Sequence, residues 1–169
     1  MSHSTVPLVV VMGVSGSGKT TVGHLLAQGL GVPYAEGDDF HPAANVAKMR
    51  AGHPLDDEDR RPWLDKIARW LTGHADSGGV VTCSALKRRY RDRLASAAPH
   101  VLFLHLDGSS ELIAARITAR QGHFMPPELL RTQIADLEPL GEDEAGAAIP
   151  IDGTPQQTAA LALGAVTSS

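Results

Sequence analysis

The chain has 169 residues, of which 43% are hydrophobic and 4% aromatic, and a formal net charge of −4. That length fits one domain, residues 1–169, with a core built mainly from Leu, Val, Ile and Ala. The charge leaves no support for nucleic acid or an anionic membrane as the main partner, although local positive charge can still meet a small anionic substrate.

Met1–Val6 has no positively charged flank and no long apolar run, so it reads as a flexible N-terminus and not as a secretory signal. Leu8–Met12 is a continuous valine-rich run, as expected of a strand buried on both faces and far too short to cross a bilayer. After a glycine-rich turn, Val22, Leu25, Leu26 and Leu30 share one helical face, and Gly29 and Gly31 end that helix. A weak strand is predicted over Val32–Glu36. Asn45–Asp59 reads as polar and turn-rich. Asp57–Gly73 is a predicted helix, with Trp63, Ile67, Trp70 and Leu71 on one face and Pro62 in its first turn.

Gly79–Cys83 is the third predicted strand and Lys87–Ala97 a basic helix. Cys83 is the single cysteine, so no internal disulfide can form, which fits a reducing, cytoplasmic compartment. It reads as a packed apolar residue, not a nucleophile. Val101–Leu106 is the fourth strand. A helix capped by Ser109 or Ser110 runs to about Arg120, a loop covers Gln121–Pro127, and a further helix covers Pro127–Leu137. Ala148–Ile151 is the fifth strand, with Thr154 and Pro155 opening a closing helix. Alternating strands and helices imply an α/β fold, a parallel sheet covered on both faces, whose ligands lie beyond the carboxyl ends of the strands.

Those strand ends carry the chemistry. Gly13, Val14, Ser15, Gly16, Ser17, Gly18, Lys19 and Thr20 match G-x-x-x-x-G-K-[ST] in full, in the required strand–loop–helix context. Glycines let backbone N–H groups turn inward on phosphate, and the helix start adds its own N–H groups. Lys19 can reach the β- and γ-phosphates, and Thr20 can offer its hydroxyl to Mg²⁺. After the second strand, Glu36, Asp38 and Asp39 form an acidic turn. Asp38 is the candidate for orienting an acceptor hydroxyl and Glu36 for the metal side; a solvated Asp-rich turn is the competing reading. His41 is a substrate contact or a turn residue.

Arg60 lies near a helix start, where a cation opposes the dipole, which suggests a task of its own. The same argument applies to the basic cluster after the third strand, where Lys87 and Arg91 are read as ligand contacts and Arg89 and Arg93 as solvated. A loop with Gly122 and two prolines reads as a mobile lid over 120–128. It would bring Arg120 to the transferring group, with Arg116 near the base or the phosphates. Asp152–Pro155 either borders the adenine, through Thr154 and Pro155, or is an ordinary helix cap.

Several of these pieces together resemble the gluconate kinases of the shikimate-kinase-like P-loop group. They are Gly13–Thr20, Gly37-Asp38-Asp39-Phe40-His41-Pro42, Pro62-Trp63-Leu64, Cys83-Ser84-Ala85-Leu86-Lys87, Tyr90-Arg91-Asp92 and Gly122-His123-Phe124-Met125. The resemblance runs from Val9 to about Asp152. It implies a three-layer P-loop NTPase fold with a five-stranded parallel sheet of order 2-3-1-4-5, a moving lid and a substrate region over 40–65. It also implies ATP, Mg²⁺ and transfer to the 6-hydroxyl of D-gluconate, with Asp38 on the acceptor hydroxyl, Arg60 near the substrate carboxylate and Arg120 in the lid. Members are often homodimers. Glu36 departs from an Asp-x-Asp arrangement that relatives can carry. The competing readings are another small-molecule kinase of this group, such as a shikimate kinase, and a nucleotide-binding regulator. No Asn-Lys-x-Asp guanine-reading motif is present.

Overall fold

The computed structural model describes residues 7–53, 55–119 and 127–168. Five parallel strands, β1 (Leu8–Met12), β2 (Tyr34–Glu36), β3 (Gly79–Thr82), β4 (Leu102–Asp107) and β5 (Gly146–Pro150), lie in the order β2-β3-β1-β4-β5. This is the expected order, and it puts β1 at the centre, where Val9 registers with Val80 on one side and Leu102 on the other.

Successive side chains of a strand point to opposite faces, so the unbroken apolar run of β1 feeds two cores. Leu8, Val10 and Met12 pack with Trp63, Ile67, Leu71 and Leu94 from α3 (Asp57–Gly73) and α4 (Arg88–Ala97). Val9 and Val11 pack with Val22 and Leu26 of α1 (Lys19–Leu30), Ile113 of α5 (Ser110–Ala119) and Ala162 of α7 (Pro155–Thr167). The remaining helices are α2 (Ala43–Arg50) and α6 (Pro127–Asp136). Among the described residues no helix is long and apolar enough to cross a membrane.

Local signals explain most boundaries. The α3 N-terminus carries a reciprocal capping box between Asp56 and Asp59. Thr154 and Gln157 form the equivalent at α7, with Pro155 in the first turn. Ser109 Oγ accepts from Leu112 N at 3.1 Å, so Ser109 is the capping serine of α5. Strand β2 starts at Tyr34, two residues later than expected. Strand β5 starts and ends ahead of the expected Ala148–Ile151. Helix α2 was not expected: of its residues only Asn45 is buried, so it carries no apolar period.

Candidate active site

The phosphate loop joins β1 to α1. Gly18 sits at the α1 N-cap with φ 94°, a left-handed conformation that requires glycine, and no side chain caps the helix. The first-turn amides of α1 are thus left to face an anion. Lys19 Nζ donates to Gly13 O at 2.9 Å and Val14 O at 3.1 Å, folded along the loop it serves. Ser17 is buried, its hydroxyl donating to Val14 O at 2.7 Å, which braces the loop internally.

The acidic turn after β2 meets this loop. Thr20 Oγ1 donates to Glu36 Oε2 at 2.7 Å, Tyr34 Oη donates to the same oxygen at 2.7 Å, and Thr82 Oγ1 donates to Glu36 Oε1 at 2.8 Å. Burial works to raise the Glu36 carboxyl, but the three hydroxyl donors and the charge of Lys19 outweigh it and hold the group below its ordinary value. Glu36 is therefore a fixed carboxylate beside the Thr20 hydroxyl. This set of hard oxygen donors fits Mg²⁺. Gly37 N donates to Thr82 Oγ1 at 3.0 Å and Gly37 O accepts from Trp63 Nε1 at 2.8 Å, so the residue before Asp38 is clamped on both sides. Tyr34, Thr82 and Trp63 were not singled out as site residues in the sequence. Each looks there like an ordinary strand or core position.

Beyond Asp38 lies a cluster of buried and half-buried side chains that includes His41, Asn45, Arg60 and Tyr90. The His41 ring stacks on Trp63 with centroids 4.5 Å apart and planes 9° from parallel. Asn45 Nδ2 donates to Asp59 O at 2.7 Å, which identifies that atom as the amide nitrogen. The same nitrogen lies 3.2 Å from His41 Nδ1, so Nδ1 is the acceptor and the ring proton sits on Nε2. Burial disfavours the charged ring and, with Arg60, outweighs the pull of Asp38, so the His41 pKa lies below its usual value. Arg60 is buried, donates to Tyr90 Oη at 2.9 Å and lies over the Tyr90 ring. Tyr90 Oη in turn donates to Asp57 Oδ1. Lys87 Nζ stands 3.8 Å from Asp57 Oδ1 and 5.9 Å from the Tyr90 centroid. Arg60 and Lys87 thus meet at Tyr90, and His41 lies close enough to Arg60 and Asp38 to feel both charges.

A phosphate loop beside an acidic turn, with a cationic cluster beyond it, is the layout of a small-molecule kinase, and similarity to known proteins agrees. The profile of the family described as shikimate kinase matches residues 15–157. A gluconokinase of Gluconobacter oxydans is 51% identical over 138 residues, covering 80% of this chain and 78% of that protein. The thermosensitive gluconokinase of Escherichia coli is 48% identical over 137 residues, covering 80% and 73%. The chain belongs to the gluconokinase group of the shikimate kinase family. The crystal structure of a Sinorhizobium meliloti gluconokinase superposes with a TM-score of 0.91 at 42% identity, covering 97% of this chain and 93% of that one. This member is accordingly an ATP-dependent kinase.

Not every expected site residue joins this cluster in the gluconokinase-group member. Arg91 is a correction. It is 1% exposed, and all five of its N–H groups have protein acceptors. Nε and one terminal nitrogen grip Glu144 at 2.7 and 3.1 Å, and the other contacts reach the carbonyls of Ala85, Leu86 and Pro139. No donor is left for a substrate. Instead Arg91 holds the segment before Lys87, where Ala85 adopts φ 45°, a conformation costly for a residue with a Cβ. Arg89 pairs with Asp57 and Arg93 with Asp65 near the surface, as expected of solvated cations.

Arg116 donates to the carbonyls of Ile151 and Gly153, which ties it to the loop after β5. Thr154 and Pro155 are the cap and first turn of α7, which accounts for them structurally. Arg120 and most of the expected lid, 120–126, lie outside the described residues. Cys83 is buried, and burial pushes its thiol up to about 12, which leaves it a packed apolar residue.

Proposed function

We propose that this protein transfers the γ-phosphoryl group of ATP to the 6-hydroxyl of D-gluconate, giving 6-phospho-D-gluconate and ADP. The observation that carries the reading is the set of curated gluconokinases at 43–51% identity that this chain matches over most of its length. The residue cluster supports it: Arg60 and Lys87 offer cations for a carboxylate, and Asp38 offers a carboxylate for a hydroxyl.

Asp38 orients the acceptor hydroxyl and takes its proton late, as suits a loose phosphoryl-transfer transition state. Lys19 leaves the carbonyls of Gly13 and Val14 to donate to the phosphoryl oxygens. Arg60 and Lys87 hold the sugar-acid carboxylate, and His41 Nε2–H donates to a hydroxyl of the chain. Fixing both ends of a flexible polyol places its terminal hydroxyl for in-line attack. Thr20 and Glu36 would hold Mg²⁺, Glu36 directly or through water; the ion supplies charge neutralisation on the β- and γ-phosphate oxygens. Stacking of His41 on Trp63 covers one side of the substrate cluster against water, the competing acceptor.

The deciding experiment is a panel of sugar acids and shikimate with ATP and Mg²⁺, read by coupled ADP release and by identification of 6-phosphogluconate. Gluconate turned over well above every other acceptor is expected. Equal turnover of shikimate, or none of gluconate, overturns the reading.

A further inference from the structure

Two arginines are buried among the described residues, Arg60 and Arg91, and they are held in opposite ways. Arg91 bonds the Glu144 carboxylate, so its charge is compensated inside the protein. The remaining arginines of α4, Arg88, Arg89 and Arg93, also pair with aspartates. The Arg60 guanidinium has no carboxylate partner among the described residues. It makes one hydrogen bond, from Nη1 to Tyr90 Oη at 2.9 Å. A buried cation without an anion is costly until something supplies the missing charge. No buried side-chain nitrogen or oxygen among the described residues lacks a partner. The Arg60 nitrogens that Tyr90 does not take are therefore open to accessible space, where an anion can reach them.

The direction of each bond follows from the groups involved. Arginine only donates, so Tyr90 Oη accepts from Arg60 and keeps its single proton for another group. That proton goes to Asp57 Oδ1. The hydroxyl thus stands between the guanidinium and a carboxylate. Burial and the hydrogen bond to Asp57 push the Tyr90 hydroxyl above its ordinary value, so the link is uncharged at neutral pH. The ring adds a second hold. The guanidinium carbon lies 5.4 Å from the ring centroid, a contact that steadies the cation without neutralising it.

We propose that Tyr90 is a positioning residue for the acceptor carboxylate: its hydroxyl fixes Arg60 through a neutral atom and keeps it off Asp57, so that the guanidinium charge stays available to the sugar acid. This rests on the assignment of Arg60 to the substrate carboxylate. Without the hydroxyl, Arg60 loses its one side-chain acceptor and turns to Asp57, which neutralises it inside the protein.

Steady-state kinetics of Tyr90→Phe, Arg60→Ala and the double variant test this. Tyr90→Phe keeps the ring and removes only the hydroxyl. Its KM for gluconate should rise about tenfold, the scale of one hydrogen bond to a charged group, with kcat and the KM for ATP near their wild-type values. Arg60→Ala should raise the gluconate KM at least as far. Adding Tyr90→Phe to Arg60→Ala should change it no further, because the hydroxyl acts only through Arg60. A tyrosine that merely packs would lower Tm and add its full effect in the Arg60→Ala background, and that additivity overturns the proposal. An unchanged gluconate KM in Tyr90→Phe beside a raised one in Arg60→Ala overturns the proposal alone. An unchanged KM in Arg60→Ala overturns the assignment of Arg60 to the carboxylate, and the proposal with it.

Discussion

The Thr20 hydroxyl donates to Glu36 Oε2 at 2.7 Å, so the last residue of the phosphate loop and the last residue of β2 share one hydrogen bond. With the shorter aspartate side chain at position 36, the carboxylate would be drawn back toward its own backbone. Glutamate instead reaches Thr20, Tyr34 and Thr82 together. Glu36→Gln keeps the shape but removes the charge and one acceptor site. The expected result is a 10- to 100-fold rise in the Mg²⁺ concentration for half-maximal activity, in the range typical of lost metal-supporting contacts. Initial rates across an Mg²⁺ series at saturating ATP check it, and an unshifted series removes Glu36 from the metal side.

Asn45 fixes the proton of His41 on Nε2, so its replacement should be felt in substrate binding. Asn45→Ala removes a hydrogen bond worth about 1 kcal/mol, for a several-fold rise in the KM for gluconate with that for ATP unchanged. Asn45→Asp goes further. A carboxylate against Nδ1 favours a proton there and favours the charged ring, which opposes the downward shift that burial imposes on His41. The gluconate KM of Asn45→Asp should therefore change with pH through the range near 6.5 where an ordinary histidine titrates, while the wild-type profile there stays flat. Parallel profiles for the two proteins would remove His41 from the substrate contacts.

Much of the fold was legible because it follows from local patterns. The valine run of β1 announces a central strand, and the spacing of Trp63, Ile67, Trp70 and Leu71 announces α3, whose bounds are as expected. The phosphate loop is legible because its chemistry lies in consecutive residues. Helix α2 was not, since it buries Asn45 and little else. Asn45 itself was missed for the same reason: its partners, His41 and the Asp59 carbonyl, come together only once α2 and α3 are packed. Arg91 misled because a run of cations at a helix start does not tell which one turns inward. That depends on Glu144, 53 residues away.

The buried Arg91–Glu144 pair makes a stability prediction. Burial works to raise the Glu144 carboxyl, but hydrogen bonds from Arg91 and Gly141 and the charges of Arg91 and Arg88 hold it below the ordinary glutamate value of 4.5. A folded-state pKa below the unfolded one means that the unfolded chain binds more protons in the window between them. The stabilisation is then full above about pH 4.5 and is lost as pH falls through the folded value. Glu144→Gln should lower Tm at pH 7 and flatten its decline below pH 4.5. Arg91→Met removes the main partner of Glu144 and leaves its charge only Arg88, 3.7 Å away, and the Gly141 N–H, at a cost of up to about 3 kcal/mol. Thermal melts across pH 3–8 test both, and equal acid limbs for wild type and Glu144→Gln would contradict the pairing.

Gly37 carries the sharpest steric prediction. A Cβ at this position would lie 1.8 Å from Thr82 O, a backbone atom of the neighbouring strand that cannot move without parting β2 from β3. Its N–H and C=O are both committed, to Thr82 and Trp63, so the peptide cannot rotate away. Gly37→Ala should therefore destabilise the fold by about 1–3 kcal/mol, as overpacking does. It should also move Asp38, the next residue, away from the acceptor hydroxyl. The expected signature is a kcat reduced by at least about tenfold, the loss also expected when Asp38→Asn removes the proton acceptor, with ADP affinity retained because the phosphate loop is braced separately by Ser17. Gly37→Ala with wild-type kcat and Tm would mean that the turn tolerates displacement, and that Asp38 does not depend on the clamp between Thr82 and Trp63.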